Sequence, residues 1–183
     1  AEARVALEIL SADLEGAVMQ NDGLEWLRSE SEPIAGPSKS STVALRLFTA
    51  LRSKPQNADG STRQGDIAAV AYDLEYVNPV DGSSNGEKTF VLYRLEVDPM
   101  ETFNTLLNPE FRQTLPDKRA KKWGQKNSIK GENGENYLVS NIVDFRIDFY
   151  VEDDGNQATP TLYYRRSLRN PNRSVIYGGE MAT

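Results

Sequence analysis

The sequence contains neither cysteine nor histidine among its 183 residues. Without cysteine the chain forms no disulfide and has no thiolate nucleophile. Without either residue it has no Ser-His-Asp triad, no Cys-His pair and no zinc site of the usual kind. Carboxylate pairs and Ser-Lys dyads remain available to an enzyme, but the two absences favour a non-catalytic protein that needs no cofactor.

The sequence also lacks a long apolar run and a surplus of positive charge. No stretch reaches the roughly 18 apolar residues that a membrane-spanning helix needs. Lysine and arginine number 21 against 27 acidic residues, a net charge of −6, which argues against nucleic-acid binding because phosphates require cationic side chains. With 38% hydrophobic and 26% charged residues, we expect residues 1–183 to form a single globular domain.

The first 20 residues predict an amphipathic helix, because apolar side chains recur at steps of three and four. The apolar stripe consists of Ala3, Ala6, Leu7, Leu10, Leu14, Ala17 and Val18. No capping residue precedes it, and its polar side is mostly acidic, the wrong sign for an anionic membrane surface. We therefore expect Leu7, Leu10 and Leu14 to anchor this helix to a sheet.

The β-rich part of the chain is predicted to be residues 41–183, after a polar loop at 28–42. Alternating side chains predict strands in TVALRLFTAL, DIAAVAYDLEYV, TFVLYRLEV, SNIVDFRIDFYV, TLYYRRSL and RSVIYG. The second and third of these are expected to pair as a hairpin, with Val70 and Tyr72 in register with Val91 and Tyr93. One helix followed by mostly antiparallel strands predicts the α+β class.

The order of these segments resembles the J-type minor pseudopilins of type II secretion and the related W-type minor pilins. Those proteins carry a strand of the form GD…V.Y.L, an LYR strand and a late segment that ends in DDG. The matching residues are Gly65, Asp66, Val70, Tyr72, Leu74, Leu92, Tyr93, Arg94, Val143, Asp144, Phe149, Asp153, Asp154 and Gly155. The resemblance covers most of residues 1–155, and it also fits a divergent prepilin-like protein from a large gene cassette.

The resemblance implies a non-catalytic bacterial filament subunit with a pilin-like fold. In such proteins the apolar first half of the helix spans the inner membrane and later packs in the filament core, while the second half lies on the sheet. We therefore expect a transmembrane half-helix before Ala1, and a globular domain in the periplasm or in a cell-surface filament. The implied partners are other pilin-like subunits and the inner membrane, with no nucleic acid.

A basic run surrounds Trp123 within the polar segment 116–136. Its neighbours are Lys118, Arg119, Lys121 and Lys122. Clustered charge is most often a solvated surface. The functional interpretation is a patch that docks an acidic partner, with Trp123 as its buried anchor.

Other interpretations remain open. Asp81, Ser83 and Asn85 begin like a calcium-binding EF-hand loop, but Leu92 stands where the ligating glutamate belongs, so no metal site is expected. The alternative function is an extracellular adhesin or carbohydrate-binding β-domain; a hydrolase with two acids in a cleft is a third possibility. The aromatic platform of the adhesin would comprise Trp26, Trp123, Tyr163, Tyr164 and Tyr177.

Overall fold

Strand pairing organises the part of the chain that can be described. The computed structural model describes residues 2–20, 26–33, 41–51, 65–108, 123, 129–132, 134–143, 145, 147–151, 161–166 and 174–177. Helix α1 (Glu2–Glu15) is followed by strands β1 (Leu27–Pro33), β2 (Ser41–Ala50), β3 (Ile67–Val77), β4 (Thr89–Val97), β5 (Tyr137–Val139), β6 (Ile147–Val151), β7 (Thr161–Arg166) and β8 (Ser174–Tyr177). A short helix, α2 (Pro99–Glu101), and a π-helical turn (Thr102–Leu106) lie between β4 and β5.

The strands form a six-stranded antiparallel sheet in the order β5-β4-β3-β2-β1-β8, while β6 and β7 pair separately. The predicted α+β class, with an N-terminal helix packed on antiparallel strands, is confirmed. β3 lies inside the sheet and is buried on both faces along most of its length. This explains its nearly continuous apolar sequence, since a strand covered on both sides has little use for polar side chains.

The sheet separates two hydrophobic clusters. On the helix face, α1 packs through Ala6 against Leu27, Leu45, Leu47, Val70, Tyr72, Leu74, Leu92 and Val139. The opposite face, called here the aromatic face, buries Trp26, Phe48, Ala69, Ala71, Val91, Tyr93, Val97, Leu106, Trp123 and Ile129. The core is therefore two layers deep, with β2, β3 and β4 contributing side chains to both layers.

β3 and β4 form the predicted hairpin, but the expected sharing of faces is wrong. Tyr72 lies opposite Arg94, and Asp73 lies opposite Tyr93. Directly opposed residues of an antiparallel pair share a face, so Tyr72 belongs to the helix face and Tyr93 to the aromatic face. Because both faces of this hairpin are buried, apolar alternation could not identify which sets of side chains lie together.

Helix α1 ends at Glu15, earlier than the predicted boundary at residue 20. After it, the chain runs along the edge of β2: Ala17 pairs with Thr49, and the N–H of Val18 donates to the Phe48 carbonyl at 2.8 Å. Backbone pairing with β2 thus replaces the last helical turn. The chain meets the same edge again at β1, whose Leu27 lies opposite Leu47.

The predicted boundaries of two β segments also change. β1 occupies residues that were predicted as loop, because pairing with β2 on one side and β8 on the other outweighs the weak strand propensity of its polar sequence. β6 begins only at Ile147, and Val143, predicted on its apolar face, is 92% exposed. β7 and β8 confirm the two short strands predicted near the end of the chain.

The sequence DPMETFNTLL predicts a helix start after β4, because Asp98 can cap a helix and Pro99 suits its first turn, and the structure confirms it. Asp98 caps α2 by accepting a hydrogen bond from the Met100 N–H at 2.9 Å, and Pro99 occupies the first turn. The following π-helical turn is tied to the sheet because the Thr102 hydroxyl donates to the Val97 carbonyl at 3.2 Å. Leu106 then enters the aromatic face.

Candidate functional site at the junction of helix and sheet

The structure changes which residues hold α1 against the sheet. Leu7 is 63% exposed and Leu14 is 43% exposed, so the prediction that these two anchor the helix is wrong. Leu10 is half-buried and packs against the helix face, where Ala6 is fully buried. The helix is rotated so that the line through Ala6, Leu10 and Asp13 points at the sheet, which turns Leu7 and Leu14 outward.

Asp13 is the buried polar residue of α1. Its carboxylate receives two hydrogen bonds from Arg94, Nε to Oδ2 at 2.8 Å and Nη2 to Oδ1 at 3.0 Å. The Tyr72 hydroxyl donates to the same Oδ2. One side chain of the helix is thus bound by two side chains of the sheet, a set called here the junction (Asp13, Tyr72 and Arg94).

Strand register explains why Tyr72 and Arg94 reach Asp13 together. They are directly opposed on β3 and β4, and their Cβ atoms therefore lie side by side on the helix face. Arg94 also donates from Nη2 to Glu96 at 2.8 Å, two residues further along the same strand. A planar guanidinium presents parallel donors, so a carboxylate can be held in a single orientation.

The junction shifts the titration of both sheet residues. Burial, followed by the hydrogen bond and the charge of Asp13, raises the pKa of the Tyr72 hydroxyl well above its ordinary value. Burial alone would lower the pKa of Arg94, but its hydrogen bonds and charge attraction to Asp13 and Glu96 raise it overall. Both effects favour a neutral phenol and a charged guanidinium around the carboxylate.

The contacts around the junction also compensate an unfavourable negative charge and an unpaired carbonyl at the C-terminal end of α1. Asp13 lies in the last turn of α1, where the helix dipole disfavours a negative charge, and that turn has no basic residue. Arg94 supplies the missing positive charge from the sheet. The Thr49 hydroxyl donates to the backbone carbonyl of Asp13 at 2.9 Å, so one of the terminal carbonyls also has a partner.

Gly16 brings the end of α1 into close contact with β2. A Cβ atom at this position would lie 2.6 Å from the Thr49 hydroxyl and 2.8 Å from the Ala50 carbonyl oxygen. The Ala50 N–H donates to the Gly16 carbonyl at 2.8 Å. The absence of a side chain therefore allows the helix end and the strand to approach closely.

The outward side of α1 carries apolar side chains that the sheet does not cover. Leu7 and Leu14 are exposed there, and Val5 is exposed on the opposite flank of the helix. A groove of about 630 Å³ runs along this side and is lined by Ala3, Arg4, Leu7, Glu8, Ser11 and Glu15. An ion pair between Arg4 and Glu8 at 2.9 Å lies beside it. The outward side of α1 is thus apolar in places, acidic at its rim and accessible.

The basic run does not supply the predicted docking anchor. Trp123 is 2% exposed, its Nε1–H donates to the Val70 carbonyl at 2.9 Å, and its ring lies 4.7 Å from that of Phe48. The prediction that Trp123 anchors a partner is therefore wrong, because the side chain fills the aromatic face. The other members of the run, Lys118, Arg119, Lys121 and Lys122, lie outside the described residues.

Two of the five aromatic residues predicted to form the ligand platform of an adhesin are buried in the core. Trp26 and Trp123 are both buried on the aromatic face, and each contacts Phe48. They cannot stack on an external ligand while the core is intact. The backbones of Tyr163, Tyr164 and Tyr177 lie in β7 and β8, and their side chains lie outside the description.

The segment that resembles the start of a calcium loop forms the tip of the β3–β4 hairpin. There, the Ser83 N–H donates to Asp81 Oδ1 at 2.9 Å, and the Asn85 N–H donates to the Ser83 hydroxyl at 3.2 Å. These side chains therefore stabilise the turn. The described residues hold no group of three or more acidic side chains placed to bind a metal ion.

Within the described ranges, no helix combines the length and the hydropathy needed to cross a bilayer. Comparison with protein-family models, with curated proteins and with solved structures finds no match to this chain. The candidate site is accordingly defined by contacts between described residues, above all those of the junction.

Sequence reasoning missed the junction, although two signals for it were present. Asp13 is seven residues after Ala6 and three after Leu10, so it belongs to the same side of a helix as those apolar residues. Arg94 is two residues after Leu92 on β4 and therefore shares its face, which places a charge beside the apolar side chains of the helix face. Opposite charges on the apolar sides of α1 and β4 predict a buried ion pair once it is known that these two surfaces are in contact.

Proposed function

We propose that this chain is a non-catalytic subunit of a pilin-like filament, either a type II secretion pseudopilus or a type IV pilus-like filament. One observation carries the proposal. Tyr72 and Arg94, two of the residues on which the resemblance rests, are the sheet side chains that bind Asp13 of the N-terminal helix. The shared motif thus coincides with the device that attaches the helix to the domain.

The proposed mechanism is assembly rather than chemistry. The junction fixes the rotation of α1, and this rotation leaves Val5, Leu7 and Leu14 exposed to neighbouring molecules. In a filament these side chains pack against the helices of adjacent subunits, and the β-domain adds lateral contacts. The accessible side of α1 supports this role, because a helix with no partner there gains nothing from two leucine side chains in water.

The proposal includes a location and a membrane partner. A subunit of this kind carries an apolar helical segment before Ala1, which holds it in the bacterial inner membrane until assembly. Its globular domain lies in the periplasm or at the surface of the assembled filament. Its partners are the other pilin-like subunits of the same filament.

The first test is to read the coding sequence upstream of Ala1. We expect a short basic leader, a cleavage point at a small residue and about 20 apolar residues that continue α1. A secretory leader followed directly by a helix cap would contradict the proposal and favour the adhesin.

The second test is cross-linking in cells that produce the full-length protein. Because residues 1–183 contain no cysteine, Leu7→Cys introduces a single thiol into this part of the protein, on the outward side of α1. We expect it to cross-link to another pilin-like subunit in the membrane or filament fraction. Ser84→Cys, at the exposed hairpin tip, is the matched control, and cross-linking at Ser84 but not at Leu7 would count against assembly through α1.

A further inference from the structure

A small cavity lies between the β3–β4 hairpin tip and the turn that leads into β5. Its volume is about 260 Å³, and it is lined by Pro79, Val80, Asp81, Gly82, Tyr93, Gly134 and Tyr137. This is below the roughly 300–1,000 Å³ of pockets for drug-sized ligands. The cavity therefore has room for one small chemical group.

Hydrogen bonds hold both walls in place. On the hairpin side, the Gly82 N–H donates to the Asn78 carbonyl at 2.8 Å, and the Asn78 N–H donates to the Ser83 carbonyl at 2.9 Å. On the other side, the Tyr137 N–H donates to the Gly134 carbonyl at 3.0 Å. Lys130 joins the walls, since its ammonium group donates to the Gly82 carbonyl. The cavity is therefore formed before any ligand arrives, which lowers the entropic cost of binding.

Tyr93 provides a hydroxyl at the wall of the cavity. The residue is almost wholly buried, and its oxygen lies 3.2 Å from the point that a Cβ atom of Gly82 would occupy. Gly82 has a φ of +64°, which favours glycine, and Lys130 Cε lies 2.6 Å from the same point. Among the described residues, the Tyr93 hydroxyl has no hydrogen-bond partner. Tyr93 lines the cavity, so a ligand held there can form a hydrogen bond with this hydroxyl.

The charges around the cavity offset one another. Asp81 is exposed at its rim. Lys130 lies beside the Gly82 carbonyl, and its ammonium group is 3.8 Å from Glu75. An anion would meet Asp81 and a cation would meet Lys130, so an ion of either sign gains little. A neutral ligand avoids both penalties.

We propose that this cavity binds the terminal ring of a neutral saccharide. The ring of Tyr137, which is 39% exposed, and the side chains of Pro79 and Val80 offer apolar surface to the C–H face of a pyranose. The Tyr93 hydroxyl and the Asp81 carboxylate offer hydrogen bonds to the ring hydroxyls at its edge. The inference does not depend on the filament proposal, because none of the residues that line the cavity belongs to the junction.

The test is titration of the ¹⁵N-labelled chain with the methyl glycosides of glucose, galactose, mannose and N-acetylglucosamine, followed by NMR. Methyl glycosides reproduce the terminal ring of a glycan. We expect at least one to bind with a millimolar Kd and to shift the amide signals of residues 80–82 and 134–137. Binding of none of the four, or shifts elsewhere alone, would overturn the proposal.

Conservative variants separate recognition from folding. Tyr93→Phe removes the hydroxyl and keeps the buried ring, and Tyr137→Ala removes the apolar wall; each is expected to weaken binding about tenfold or more. The controls are Tyr76→Phe, on the other face of the hairpin, and Phe103→Ala, whose side chain is 40% exposed on the π-helical turn. Unchanged affinity in both test variants, or stronger binding of lysine amide than of any glycoside, would refute a saccharide site.

Discussion

The two faces of the central sheet are closed by different kinds of contact. The aromatic face is sealed by apolar side chains, with the rings of Trp26 and Trp123 each packed on Phe48. The helix face is covered by α1, which contributes Ala6 as its fully buried apolar residue and Asp13 as its buried charge. The first face relies mainly on packed rings, with Asp73 also buried there, and the second adds a specific polar contact with the helix.

The difference indicates separate tasks for the two faces. Packed rings contribute the larger share of stability, because burial of apolar area is the main favourable term in folding. A buried ion pair contributes little net stability, since desolvation opposes the attraction, but it disfavours every other alignment of the partners. The aromatic face is therefore expected to set how stable the domain is, and the junction to set how α1 is aligned.

Removing a ring from the aromatic face tests the first half of this comparison most severely. Trp123→Ala is expected to lower the free energy of unfolding by about 3–5 kcal/mol, because it leaves a cavity beside Phe48. The measurement is urea unfolding followed by circular dichroism. Phe103→Ala, on an exposed aromatic residue, serves as the control. A loss below about 1 kcal/mol for Trp123→Ala would mean that the ring does not close this face.

Removing Arg94 alone tests the second part of the comparison, that the junction aligns α1 and adds little net stability. Arg94→Ala leaves the Asp13 carboxylate buried without its guanidinium, and we expect a loss of about 3 kcal/mol, the lower end for a broken buried pair. The triple variant Asp13→Leu, Tyr72→Phe, Arg94→Met removes every polar member and should unfold within about 1 kcal/mol of the parent. A triple variant as unstable as Arg94→Ala would show that the junction itself supplies the stability.

The pH dependence of unfolding isolates Tyr72. Its pKa is raised in the folded state by burial and by Asp13, so above pH about 10 the unfolded chain loses this proton while the folded chain keeps it. The contribution is fully present below that pH and declines at about 1.4 kcal/mol per pH unit above it. Tyr72→Phe should flatten the decline by this amount, and an unchanged slope would contradict the assignment.

The close approach at Gly16 yields a smaller effect. Gly16→Ala would place a Cβ atom 2.6 Å from the Thr49 hydroxyl and 2.8 Å from the Ala50 carbonyl oxygen. We expect a net loss of about 1–2 kcal/mol, since this contact requires α1 or β2 to shift. Ser11→Ala, on the exposed side of α1, is the control and should be neutral or slightly stabilising. A stabilised Gly16→Ala variant would show that α1 is not held tightly at its end.

The sequence allowed prediction of the elements better than of their contacts. The hairpin, the cap at Asp98 and the class followed from local periodicity and local chemistry, which act over a few residues. The rotation of α1 did not, because it depends on Asp13 meeting Arg94, which is 81 residues distant along the chain. Trp123 was misassigned for a similar reason: its basic neighbours suggested a surface, whereas its ring is buried.

Leu7 and Leu10 allow the most controlled comparison, because both are leucines of α1 and they differ in burial. Leu10 is half-buried on the helix face, whereas Leu7 is 63% exposed. Leu10→Ala should therefore cost about 1–2 kcal/mol in urea unfolding of the isolated domain, and Leu7→Ala less than about 0.5 kcal/mol. In cells that assemble the full-length protein the order should reverse, with Leu7→Ala causing the greater loss of subunit from the filament fraction. If Leu7→Ala neither destabilises the domain nor reduces the amount of subunit in the filament fraction, the outward side of α1 makes no contact that assembly requires.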